Sequence, residues 1–337
     1  MAISDLLAPP HPPPEATNPM RSSVILILSV TTIGCARDDG YPNLRELPAG
    51  AQAISLLGDT LWAPPQPAEV RTAHEQRLAA AQQAYDNDPG SADALIWFGR
   101  RTAYLGRYRE AIAIYTRGIE EHPDDARLYR HRGHRYISVR LFDLAISDLE
   151  HAATLIRGTA DQVEPDGLPN VRNIPTSTLH FNIWYHAGLA YYLTGRFEEA
   201  SQAYRECLLV SKNPDALVAT SYWLYMTLRY LGKETEANRV LESITSDMDI
   251  IENHSYHRLL LLNQGQLSEE NLLNLASEDD VPLANATVGY GIGKWHALEG
   301  RGEDAARAWQ TVLSGSQWAA FGYIAAEAEM ARKASEG

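Results

Sequence analysis

The sequence predicts an all-α chain built as a stack of helix-turn-helix units, and three observations carry that prediction. From residue 68 onward the apolar residues follow helical spacing, with Gly and Pro marking the turns. An aromatic residue followed three positions later by alanine recurs at Tyr108/Ala111, Phe142/Ala145 and Phe197/Ala200. The spacing from Ala111 to Ala145 is 34, and from Ala237 to Ala305 it is 68, twice that period. Small residues at Gly99, Gly133 and Gly188 let two antiparallel helices approach closely, and the aromatics fill the next turn. Each unit covers its apolar stripe only against its neighbours, so the 337 residues read as one array rather than the two domains that length alone suggests.

Composition narrows the function. Hydrophobic residues make up 45% of the chain and charged residues 21%, as in a folded protein. With 43 acidic against 29 basic side chains the net charge is −14, which argues against coating nucleic acid or an anionic membrane with the whole surface. Two cysteines exclude a disulfide framework and a four-thiolate zinc site. No apolar run reaches the ~18–20 residues that a spanning helix needs.

Taken in order, residues 1–34 are a proline-rich leader followed by a signal segment. Pro9, Pro10, Pro12, Pro13, Pro14 and Pro19 exclude a helix at the start. From Met20, the expected true start, the order is a basic residue (Arg21), an apolar stretch from Val24, and the small residue Gly34 before Cys35. That is the grammar of a secretory signal. Thr32-Ile33-Gly34-Cys35 resembles a bacterial lipoprotein box, with Thr32 in place of the usual leucine. The resemblance implies lipidation of Cys35 and a mature N-terminus there, with Ala36 favouring the outer membrane. Two or three acyl chains would anchor the protein without a spanning helix. Residues 35–67 are then a tether, broken by Gly and Pro, whose run Ala53–Leu57 and Trp62 can dock on the body.

The array occupies 68–337. Leu78–Tyr85 reads as the second helix of a partial unit. Units follow at 92–125, 126–159, 181–214, about 218–251, 252–285 and about 286–319, and Trp318–Lys333 reads as a capping helix. The third unit, with Trp184, Gly188, Tyr191, Gly195, Phe197, Ala200 and Tyr204, fits best. These residues resemble the tetratricopeptide repeat, a helix-turn-helix unit with the same period. The resemblance covers most of the array and implies a right-handed α-solenoid that acts as a protein-interaction scaffold.

One spacing departs from the period: from Ala145 to Ala200 it is 55, an excess of 21 that falls within 158–180. Three prolines and Asp166-Gly167 make this insertion a loop, and Leu168, Val171, Ile174 and Leu179 are expected to anchor it. Beside it lies the densest cationic cluster, Arg127 to Tyr136, with Arg100 and Arg101 one unit earlier. The resemblance implies that the first helix of each unit lines a concave groove. On that register Arg100, Tyr104, Arg127, Arg130, His134, Asn182 and Tyr185 share one face and form the candidate partner-binding set. Such a cluster suits capture of a carboxylate or phosphate. Equally, Asp161, Glu164 and Asp166 of the insertion could fold back and pair with these arginines.

Chemistry-bearing motifs are sparse. His131 and His134 share a helix face but lack a metal-ligating partner motif, so no metal and no cofactor are implied. Gly289-Tyr290-Gly291-Ile292-Gly293 reads as close helix packing, Cys207 as a buried thiol, and His186 and Trp184 as packing residues. The expectation is a membrane-tethered scaffold of the cell envelope, not an enzyme, that binds an acidic protein or peptide segment and no nucleic acid. Two alternatives stand beside it: a structural subunit of a larger envelope complex, and an enzyme using the Arg/His cluster.

Overall fold

A computed structural model describes residues 47–279 and 282–336, and the side chains of these except in 277–284 and 335–336. Cys35 and the rest of the leader, signal and early tether lie outside the described residues. Within the compact unit Glu46–Gly337 the order is β1 (Ala51–Ile54), β2 (Thr60–Trp62), then α1 (Ala68–Asn87) and the helices that follow it. The helix pairs are α2 (Ala92–Tyr104) with α3 (Tyr108–Glu121), α4 (Ala126–Ser138) with α5 (Phe142–Leu155), and α6 (Leu179–Leu193) with α7 (Phe197–Val210). Next come α8 (Pro214–Tyr230) with α9 (Glu234–Leu241), α10 (His254–Asn263) with α11 (Glu269–Asp279), and α12 (Pro282–Leu298) with α13 (Gly302–Leu313). The chain ends in α14 (Phe321–Glu336). The fold is thus the expected all-α repeat array, with a small hairpin added.

The expected periodicity has visible causes. The first helices of four units start on a side-chain cap: Ser91, Asp125, Thr178 and Asn213 accept from the backbone N–H of Ala94, Arg127, Phe181 and Ala216. Inside the third unit Gly188 faces Tyr204, where an added Cβ would sit 2.7 Å from the ring. Only glycine permits that approach. The turn between the two helices of a unit carries a glycine in the left-handed region at Gly106, Gly195, Gly232, Gly265 and Gly300. The second unit has Arg140, at φ 63°, in that place, one repeat period after Gly106. A non-glycine residue there costs about 1–2 kcal/mol. Its side chain offsets that cost through contacts with the C-terminal helix.

Successive first helices pack on one another, α2 on α4, α4 on α6, α6 on α8, α8 on α10 and α10 on α12, which makes them the inner layer of the array. Helix α14 does more than cap. It packs on α12 and α13 and reaches α6 on that inner layer. Its Glu327 and Glu329 are buried. Arg140 donates from Nε and Nη2 to Glu327 at 3.0 and 2.8 Å and to the Trp318 carbonyl at 2.8 Å. Glu329 accepts from Tyr230 and lies 3.4 Å from Lys294 Nζ. Burial pulls the Lys294 amine down to about 8.

Two segments outside the helix pairs are held by other residues than expected. The segment read as a tether docks on the array, as its apolar run suggested, but as the β1–β2 hairpin: Ala51, Ala53 and Leu61 are buried while Ile54, Leu57 and Trp62 are exposed, and the Trp62 carbonyl accepts from Trp318 Nε1 at 2.6 Å. Alternation of small buried residues makes this a strand pair rather than a single apolar stretch. In the insertion, of the four expected apolar anchors only Leu179 is buried; Leu168, Val171 and Ile174 are exposed, Val171 completely. Polar contacts hold this loop instead. Val163 bridges Thr178, Arg101 donates to the Gly167 carbonyl at 2.7 Å, and Asn213 donates to the Thr176 carbonyl at 2.9 Å.

Candidate functional site

A cleft of about 490 Å³ opens on the inner layer, lined by Arg130 and His134 of α4 and by Phe181, Asn182, Tyr185 and His186 of α6. Ala219, Glu252, Asn253, Ser255, Tyr256, Thr287 and Ala319–Phe321 complete its walls. Each wall is placed by a local device. The start of α10 is pinned by Asp215, whose buried carboxylate accepts from the backbone N–H of Ile251, Glu252 and Asn253 at 2.7–3.2 Å. Thr176 of the insertion donates to Glu252. Phe321 stands at the head of α14, with ring centroids 5.3 Å from His134 and 5.5 Å from His186.

Beside the cleft lies a recess of about 130 Å³ lined by Arg100, Tyr104, Tyr115, Arg130, His131, His134, Arg135 and Glu164. The structure therefore brings six of the seven sequence-predicted residues to two adjoining hollows. Arg130, His134, Asn182 and Tyr185 line the cleft, and Arg100 and Tyr104 join Arg130 and His134 at the recess. Arg127 lines a third hollow, with Asp93, which shares Arg100, His131 and Glu164 with the recess. Its guanidinium is met by Asp93 at 2.5 Å and Asp125 at 2.6 Å.

The insertion does fold back onto the cluster. Glu164 lies 3.1 Å from Arg130 Nε and accepts from Asn182 Nδ2 at 3.0 Å, and both charged partners are buried. Asp161 turns away to Thr178 and the backbone of His180. Arg130 also donates from Nη1 to His131 Nδ1 at 2.8 Å, which places the His131 proton on Nε2. Burial pushes the His131, His134 and His186 imidazoles well below their ordinary range, with Arg130 and Arg135 adding to the shift. All three are therefore neutral at pH 7. His186 donates from Nδ1 to the Asn182 carbonyl at 2.5 Å, leaving Nε2 as a bare acceptor.

Arg100 and Arg135 differ from Arg130. Neither has an ion-pair partner among the described residues; Arg100 stacks on Trp97 at 4.4 Å and Arg135 on Tyr108 at 5.2 Å. Sequence reasoning missed Phe181, Tyr256 and Phe321, named Arg135 only within the cationic cluster, and read as packing a residue that lines the cleft, His186. His186 is one helical turn from Asn182, a spacing that could have placed it on the same face. Phe321 comes from a distant helix and carries no local signal. Cys207 is buried, its thiol pushed up to about 12 by burial, and lies 3.2 Å from Thr220 Oγ1. It packs the core, as do Gly289, Gly291 and Gly293 against Val312, Leu259 and Trp309.

Stacked helix pairs with an inner layer of first helices define an α-helical repeat scaffold. Residues 181–214, the α6–α7 unit, match the tetratricopeptide repeat. Among solved structures, MamA in its AMB-1 form is 19% identical, with 52% of this chain and 90% of that chain covered and a TM-score of 0.39. A second MamA structure is 14% identical, with 59% and 89% covered and a TM-score of 0.40. YrrB, described as a TPR protein with an unusual peptide-binding site, is 14% identical, with 70% and 92% covered and a TM-score of 0.39. No curated protein matches the sequence.

Proposed function

We propose that the protein is a lipid-tethered interaction scaffold whose inner layer captures a short partner segment carrying an acidic group. The recess carries the reading. Three arginines, Arg100, Arg130 and Arg135, line it with a single carboxylate, Glu164, in a chain whose overall charge is −14. A partner carboxylate would meet the two arginines that lack an internal ion pair, not Arg130, which Glu164 already answers. Guanidinium is suited to such capture because its N–H groups match a carboxylate in pairs. The insertion contacts α2, α4 and α6, and α14 contacts α6 and α12, which favours a short segment over a long one.

The test follows from that division of labour. Changing Arg100 and Arg135 together to glutamine should weaken binding of a fluorescent acidic peptide, or of a co-purified partner, at least tenfold, with the thermal melt close to wild type. Unchanged binding refutes the anionic reading. The tether rests on the lipoprotein-like segment ending at Cys35. Cys35→Ser should release the protein from the membrane fraction and change its processed mass. A variant that stays membrane-bound at the wild-type mass removes the anchor from the proposal.

A further inference from the structure

The large cleft has a chemistry different from that of the recess. Its one lining arginine is already paired, and Glu252 stands on its rim. Its walls are rings: Phe181, Tyr185, His134, His186, Tyr256 and Phe321. His134 and His186 lie side by side, with centroids 4.3 Å apart. His186 is 3% exposed, and its Nε2 has no hydrogen-bond partner among the described residues. His134 makes ring contacts with His186 and Phe321 but no hydrogen bond from either ring nitrogen among the described residues. A neutral imidazole offers one N–H donor and one acceptor, and His186 has spent its donor on Asn182, so together they have at most one donor and two acceptors left for the hollow. A ligand in the cleft can take the place of the water that these nitrogens would otherwise meet. The volume lies within the ~300–1,000 Å³ usual for small-ligand sites.

We infer that this cleft is a pocket for an uncharged phenolic ring, whose hydroxyl donates to His186 Nε2 and accepts from His134 while its faces lie against Phe181, Tyr185 and Phe321. A phenol supplies both hydrogen-bond roles through one oxygen, and aromatic walls favour a flat apolar body. A carboxylate is disfavoured there, because Glu164 already answers Arg130. The ring has two sources: a tyrosine side chain of the partner segment, which rests on the reading above, or a free phenolic molecule, which does not.

The probes are p-cresol, 4-methylanisole, which lacks the donor, and p-toluate, which adds a charge, titrated against the full chain by ligand-observed NMR and calorimetry. p-Cresol should bind at least tenfold more tightly than either control. Changing His134 and His186 together to phenylalanine should keep the rings and erase that preference. Equal binding of p-cresol and 4-methylanisole, tighter binding of p-toluate, or no binding of any probe overturns the inference, and these arms hold in the unaltered protein even if the double variant fails to fold. A capped Glu-Tyr-Glu peptide separates the sources: tighter binding than p-cresol assigns the pocket to a partner's tyrosine, weaker binding to a free phenol. If p-cresol binds while acidic peptides do not, the pocket stands and the scaffold reading falls.

Discussion

Replacing Glu327 by alanine should lower stability by about 3–5 kcal/mol and the melting midpoint by roughly 10 °C, because it strips the partner from a buried guanidinium. The Arg140 and Glu327 side chains are 3% and 1% exposed. Arg140 would keep its hydrogen bonds to the Ser138 and Trp318 carbonyls but lose its compensating charge. The reciprocal change separates charge from strain. Arg140→Gly relieves the left-handed backbone at that turn, worth about 1–2 kcal/mol, yet strands the Glu327 carboxylate in the interior. It should therefore destabilise, but by less than Glu327→Ala. Combining Arg140→Gly with Glu327→Gln removes both the strain and the stranded charge and should recover most of the loss. Thermal melts of the three variants decide the matter. Single-variant losses too small to move the melt would mean that the pair does not seat α14, and with it Phe321 at the mouth of the cleft.

That ion pair also marks where sequence stops being informative. The repeat period is a local property: caps, turns and close-packed small residues recur within each unit, so α2 and α4 begin at Ala92 and Ala126, where the period places units. Residues on adjacent first helices were legible for the same reason, and Arg130, His134, Asn182 and Tyr185 meet in one cleft. Arg140 carried a usable signal, an arginine one repeat period after a turn glycine. Its partner did not, since Glu327 is far along the chain and arrives only because α14 folds back across the inner layer. The insertion misled for a physical reason: a loop has no periodicity to say which apolar residues point inward, and hydrogen bonds, not Leu168, Val171 or Ile174, fix its path. Whether Arg130 was free or paired depended on that path, and Glu164 settles it.

Acid should unfold the protein through the same region. Burial first, then the Arg130 and Arg135 guanidinium groups, hold His131, His134 and His186 well below the usual imidazole range. The groups around them include Arg100 and Glu164 at the recess and Glu252 and Phe321 at the cleft. Because these pKa values are depressed on folding, the unfolded chain binds more protons below its own histidine pKa of about 6.5. Stability is therefore unaffected by these groups above about pH 7 and falls as the pH drops through about 6.5. Each histidine that stays neutral costs about 1.4 kcal/mol by pH 5.5, so the three together cost about 4 kcal/mol. Thermal melts at pH 7.5 and 5.5 should show this loss, and changing His134 and His186 together to glutamine should shrink the difference by about two thirds. A difference of the same size in that variant would assign the acid sensitivity to carboxylates elsewhere, since glutamine cannot take up the proton. Binding of p-cresol to the folded protein should be the same at pH 7.5 and 5.5, because His186 stays neutral in the fold and keeps its acceptor.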